Sequence, residues 1–121
     1  MESVSPEEFN NYRSRMNEKI LASDNKVIQR FFNLDTNAYA EGQLSVVTKE
    51  LIGLAASMVL RCDDCVRYHL GKCHELKVSK PQVQECLSVA LLVGGSIVIP
   101  HLRRAFEYWD LLEAEKPYET T

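Results

Sequence analysis

No block of basic residues, no long apolar run and no repeat occurs in this chain of 121 residues. The first absence argues against a nucleic-acid partner: 14 Lys+Arg stand against 17 Asp+Glu, a formal net charge of −3, and the cations are dispersed. The longest apolar stretch, Val89 to Ile99, holds two glycines and a serine. It falls short of the roughly 20 residues a spanning helix needs, so no membrane anchoring is expected. The opening residues, Met1 to Glu8, lack the basic and then apolar regions of a signal peptide, and the cytoplasm is the expected compartment. Strand-like alternation never persists, and no linker or low-complexity segment divides the chain. One helical domain over 1–114 is expected, with a loose tail over 115–121.

What is present is helical periodicity, and it predicts an all-α bundle of about six helices. A first helix is expected from the Ser5 cap, with Pro6 at its first position, to about Leu21. A second begins near Ser23 or Asp24 and carries Val27, Ile28, Phe31 and Phe32; Asp35 is read as a restart reaching Ala40. Ser45 caps a third helix to about Leu60. Its stretch Leu51 to Leu60 has no charged residue, which fits the buried centre of a fold or an interface between subunits. A fourth runs from about Asp63 to Leu76, and a fifth from the Ser79 cap to about Val98. Gly94 and Gly95 fall inside the fifth, at about 1 kcal/mol each relative to alanine, and suggest a close crossing, a kink or a break. Pro100 opens a last helix ending near Ala114.

Of four cysteines, two form the sequence Cys62-Asp63-Asp64-Cys65. In a reducing compartment such a close pair favours catalysis or metal binding over a structural framework. His69 lies one helical turn beyond Cys65 and could exchange a proton with its thiol. That matters because the thiolate is the nucleophile, and an unperturbed thiol near pKa 8.5 is only about three per cent ionised at neutral pH. On a helical wheel Cys62, Cys65, His69, Cys73 and Leu76 share a face with Val66 and Leu70, opposite Asp63, Asp64, Arg67 and Gly71. The thiols and the imidazole are therefore expected to point inward. Cys73 and Cys86 read as small packed hydrophobes, and His74 and His101 as surface or terminal residues. Glu50, near the start of its helix, is either a carboxylate complementing the dipole or a partner for His69. A zinc site built from Cys62, Cys65, His69 and Cys73 is disfavoured: on one continuous helix the outer two are about 16 Å apart, too far for one tetrahedral ion.

Glu50, eleven residues, then Cys62-x-x-Cys65-x-x-x-His69 resembles the signature of the AhpD-like alkyl hydroperoxidases, within the wider carboxymuconolactone decarboxylase group. Gly42 to Ser45, Thr48 to Ile52 and the Gly94-Gly95 pair agree with it, and the resemblance covers about residues 25 to 110. It implies an all-helical fold assembled as a homotrimer or homohexamer, and thiol-dependent peroxide reduction without cofactor or metal. The implied substrate is a hydroperoxide, and the implied partner an unknown dithiol reductant or adapter protein. It also implies roles: Cys65 attacks the peroxide, Cys62 closes a disulfide with it, and Glu50 and His69 act as a proton relay. Some members carry a histidine where Asp64 stands, and a carboxylate there opposes a neighbouring thiolate. A redox-sensing or partner-binding module is the alternative outside enzymology. The lactone decarboxylases of the group are a further alternative, though they lack the cysteine pair.

Overall fold

Short-range hydrogen bonds at the helix starts set most element boundaries of the computed structural model, which describes residues 4–115. Ser5 caps α1 (Pro6–Leu21) in a reciprocal box: its Oγ accepts from the Glu8 N–H at 3.1 Å and its own N–H donates to Glu8 Oε1 at 3.2 Å. Asn25 Oδ1 accepts from Ile28 N–H at the head of α2 (Lys26–Ala38). Ser45 Oγ accepts from Thr48 N–H at the head of α3 (Val46–Val59). After α4 (Asp63–Glu75), Ser79 and Gln82 form a second capping box on α5 (Lys80–Gly94), with Pro81 in its first turn. A 3-10 turn, Ser96–Val98, leads into α6 (Ile99–Ala114). Among the described residues there are only helices and turns, an all-α fold.

Three boundaries depart from expectation. α2 begins at Lys26, two to three residues later than expected, because Asp24 takes a left-handed φ of 65° that no helix interior accepts and Asn25 becomes the cap. It then runs through Asp35 without the expected restart and ends at Ala38. The fifth helix stops at Gly94, not Val98, since Gly95 adopts φ 85° and turns the chain. Gly94 meanwhile gives room for packing: a Cβ there would stand 2.5 Å from Val98 Cγ2. The C-terminal tail expectation falls on residues 116–121, outside the described residues, while Glu115 is a turn residue closing α6.

α3 is the centre of the bundle, packed against α5 and α4, while α6 packs on α4 and α1 rests on α2 and α6. Leu54 and Met58 from α3, Leu70 and Cys73 from α4, and Val83 and Leu87 from α5 are buried together in one core cluster. Each fully buried Leu contributes roughly 1.5–3 kcal/mol of transfer free energy. The uncharged α3 stretch is thus the buried centre, though Ile52 and Leu60 remain exposed.

The junction of α3 and α4 positions the cysteines. Arg61 takes φ 59°, its N–H bonds Met58 O, and the Cys62 N–H bonds Ser57 O at 3.0 Å. This is a Schellman closure, in which a left-handed residue lets two trailing amides satisfy the last carbonyls of a helix. Cys62 therefore finishes α3 and starts α4 within a two-residue turn. Among the described residues no helix is long and apolar enough to cross a membrane.

Candidate active site

Cys62 is the N-cap of α4, with extended dihedrals (φ −102°, ψ 97°), and its Sγ accepts from the Cys65 N–H at 3.3 Å. The helical-wheel placement of Cys62 is corrected on this point: it precedes the helix and does not share the helical face. Cys62 and Cys65 are joined as a disulfide, their Cα atoms 5.3 Å apart. Cys65 is exposed and Cys62 half-buried. The expectation of inward-pointing thiols holds for Cys73 but is overturned for the close pair: α4 begins at the molecular surface, and only from Val66 onward does its inner face reach the core. Leu76, expected on the inward face, caps the far end and is 38% exposed.

His69, one turn deeper, is buried, as is Glu50 on α3. The imidazole Nδ1 lies 2.7 Å from Glu50 Oε1. A carboxylate can only accept, so Nδ1 carries the proton and, in the neutral ring, Nε2 holds the free lone pair. A carboxylate buried to this degree is costly without such a partner. The fold thus brings Glu50 and His69 together across 19 residues of chain.

Sequence reasoning missed the residues that seat this ring. A Cβ on Gly53 would lie 2.6 Å from His69 Cε1 and from Tyr39 Oη, so the imidazole and the phenol rest directly on the α3 backbone. The available signal was a glycine three residues after Glu50 in a helix interior, where it costs stability and needs a reason. Tyr68 meets the His69 ring edge-on at 5.2 Å between centroids, and Tyr39 flanks it at 5.5 Å. Burial and the Glu50 charge raise the Tyr39 phenol above its ordinary value, and burial does the same to Tyr68. A cavity of about 280 Å³ opens over Cys65, His69 and Tyr68, walled by Phe31, Phe32 and Asp35 of α2 and by Arg13 and Asn17 of α1.

His101, expected as a surface or terminal residue, lies in the first turn of α6 and is partnered there. Its Nδ1 is 2.8 Å from Asp63 Oδ1, and Arg104 Nε donates to Asp63 Oδ2 at 2.8 Å. Burial pushes the Asp63 carboxyl up, but the His101 hydrogen bond and the Arg104 charge outweigh it and hold the carboxyl below its usual range. Asp63 was read as outward-facing; instead it ties the residue next to Cys62 to α6. His74, in the last turn of α4, packs edge-on against Trp109. Cys73 and Cys86 are placed as packing residues: burial pushes the Cys73 thiol up to about 12 and also raises Cys86, whose Sγ donates to Leu51 O at 3.3 Å. Among the described residues no group of three or more His, Cys, Asp or Glu side chains is placed to hold a metal ion.

The structure is a helical bundle with a surface Cys-x-x-Cys above a buried Glu–His pair, and the comparisons give the family of the fold. Residues 25–108 match the carboxymuconolactone decarboxylase family, and the chain belongs to that family. Two crystal structures of a Thermotoga maritima protein resemble it with TM-scores of 0.86 and 0.85. Sequence identities are 51% and 50%, covering 89% of this chain and 95% and 92% of those chains. One of them is described as a family member with a suggested involvement in the antioxidative response. A Legionella pneumophila family protein shares the fold at a TM-score of 0.80 and 21% identity, covering 88% of this chain and 96% of that one. An uncharacterized Cupriavidus necator protein is 31% identical over 77 residues, 64% of this chain and 68% of its own length.

Proposed function

We propose that the chain is a thiol-dependent peroxide reductase in which Cys65 is the attacking thiol and Cys62 the resolving one. The observation that carries this reading is the exposed Cys65 sharing one cavity with His69, whose ring is oriented by buried Glu50 at 2.7 Å. In the reduced protein His69 Nε2 takes the Cys65 proton, directly or through one water, and Glu50 offsets the imidazolium charge. The thiolate attacks the terminal peroxide oxygen, the O–O bond breaks, and the departing alkoxide takes a proton from His69. Cys65 is then a sulfenic acid and the alcohol leaves.

Cys62 completes the cycle. At the N-terminus of α4, the free amides and the helix dipole favour its thiolate over the thiol. It attacks the Cys65 sulfur, the S–O bond breaks as the disulfide forms, and the departing hydroxide leaves as water with the proton that the Cys62 thiol gave up to solvent. Two thiols thus supply two electrons, converting one hydroperoxide into alcohol and water. A dithiol reductant or thiol adapter returns the pair to the reduced form by exchange.

The suggested antioxidative role of the Thermotoga maritima relative points the same way. The Asp64 carboxylate beside Cys65 opposes its thiolate, but Arg67 lies 3.3 Å from Asp64 and takes up part of that charge. Self-association as a trimer or hexamer is part of the same reading. Peroxide consumption measured with several dithiol donors tests it. Sustained turnover that vanishes in Cys65→Ser is expected, with Cys62→Ser stalling after one equivalent. One-time oxidation of the wild type under every donor means a redox sensor instead.

A further inference from the structure

The element over the candidate site that the family match does not cover is α1. The matched segment starts at residue 25, whereas α1 spans Pro6–Leu21 and contributes Arg13 and Asn17 to the cavity over Cys65. Arg13 is held in place there. Its guanidinium carbon lies 4.3 Å from the Tyr68 ring centroid and 5.8 Å from that of Phe9. Stacking of this kind leaves the edge N–H groups of a guanidinium available to a planar acceptor. Among the described residues Arg13 forms no ion pair, while Arg67 and Arg104 are matched to Asp64 and Asp63.

Phe31, Phe32 and Tyr68 give the wall an aromatic portion, and the cavity of about 280 Å³ is roughly nine times the ~30 Å³ share of one liquid water. Hydrogen peroxide would leave most of that space unfilled. A body of ten to fifteen heavy atoms, on the order of a small-molecule ligand, suits it better. Two carboxylates on the lining oppose an anion here: Asp64, which is paired with Arg67, and Asp35, which carries no partner among the described residues. Their repulsion keeps the expected preference moderate and places an anionic group on the Arg13 side of the cavity.

We propose that this cavity takes an organic hydroperoxide bearing a carboxylate, with its apolar body against Phe31, Phe32 and Tyr68 and its carboxylate on Arg13. The substrate class rests on the peroxidase reading above; the carboxylate subsite itself does not. A charge-assisted contact between guanidinium and carboxylate gives the discrimination, and α1 makes it a property of this chain rather than of the matched segment.

The test compares cumene hydroperoxide with its para-carboxylated analogue on the full chain, using a dithiol donor. The carboxylated compound is expected to show about tenfold higher kcat/KM. That ratio falls to near one in Arg13→Gln and stays above one in Arg13→Lys, which keeps the charge. A ratio near one in the wild type, or a ratio unchanged in Arg13→Gln, overturns the proposal. Binding of the unreactive cumyl alcohol and its para-carboxylated analogue to the disulfide form, measured by calorimetry, separates the two readings. If neither hydroperoxide is turned over, the peroxidase reading fails. The subsite then stands or falls on whether the carboxylated alcohol binds more tightly than the neutral one and loses that advantage in Arg13→Gln.

Discussion

Glu50 and Gly53 sit one turn apart on α3 and do different things to the same ring: one orients the His69 imidazole, the other leaves room for it. Removing the orientation while keeping shape, Glu50→Gln leaves a buried amide that holds no compensating charge for an imidazolium. The expected outcome is slower alkylation of Cys65 near neutral pH and a higher apparent thiol pKa, with His69→Gln more severe. Loss of a positioned base is typically worth roughly 10²–10⁴ in rate. Iodoacetamide kinetics of the reduced protein across pH check this, and wild-type profiles in both variants would return Glu50 to a helix-terminal charge. Gly53→Ala acts on space instead. A Cβ 2.6 Å from His69 Cε1 forces the ring or Tyr39 to move, an overpacking cost of about 1–3 kcal/mol. Urea unfolding should show that loss together with a drop in Cys65 reactivity. Glu50, Cys62, Cys65 and His69 were all legible as candidates because their spacing is fixed along the chain. Gly53 and Tyr39 were not, since their roles depend on how α3 lies against α4 and on where α2 ends. The exposure of Cys65 was hidden too: a helical wheel has no information about where the helix emerges from the core.

Helix starts were readable wherever the capping group is local, as at Ser5, Ser45 and Ser79, each within three residues of its partner. Ends were less so. Arg61 and Lys77 close α3 and α4 in the left-handed conformation, at φ 59° and 63°, where sequence would favour glycine or asparagine. Lys77 repeats the junction described for Arg61: its N–H bonds His74 O and the Val78 N–H bonds Cys73 O. Lys77→Gly removes the Cβ penalty without touching the cysteines, and is expected to stabilise by about 1 kcal/mol, read as a higher urea midpoint with unchanged slope. The α4–α6 contact carries a pH signature. Asp63 is held below its ordinary value in the folded state, so it binds its proton more weakly there than when unfolded. Its contribution is fully present above the unfolded value of about 3.9 and is lost as pH falls through the lower folded value. Acid unfolding should therefore occur at a less steep slope in Asp63→Asn, which is also less stable at neutral pH. An identical acid limb in the variant would mean that the clamp to His101 and Arg104 contributes nothing. No local pattern announced this clamp, because Asp63 and His101 are 38 residues apart.

At the scale of the whole molecule the fold covers α3 but leaves the outer side of α5 bare. Val89, Leu92 and Val93 recur at helical spacing and are 56%, 84% and 70% exposed, and Ile97 follows them at 56%. Leu60, at the α3 end, is 76% exposed. Scattered exposed leucines need no explanation, but a stripe repeating along one face of a helix does. The periodicity of residues 87–99 had already offered more apolar surface than a small domain readily covers, and the folded chain retains it. Further copies of the chain are the simplest cover, since chains that associate with themselves close into rotational symmetry, a trimer by joining one patch to a different patch on the next copy. Leu92→Glu is the sharpest probe. A side chain this exposed contributes little to the fold of one chain, so the substitution should stay within about 0.5 kcal/mol of wild type if the stripe faces water. Buried between subunits, the new carboxylate has no partner and must be desolvated, at a cost of several kcal/mol. Light scattering at micromolar concentration is expected to give a trimer or hexamer for the wild type and smaller species for Leu92→Glu, with circular dichroism still helical. A wild-type monomer, or an unchanged assembly in the variant, would show that the α5 stripe is not where copies of the chain meet.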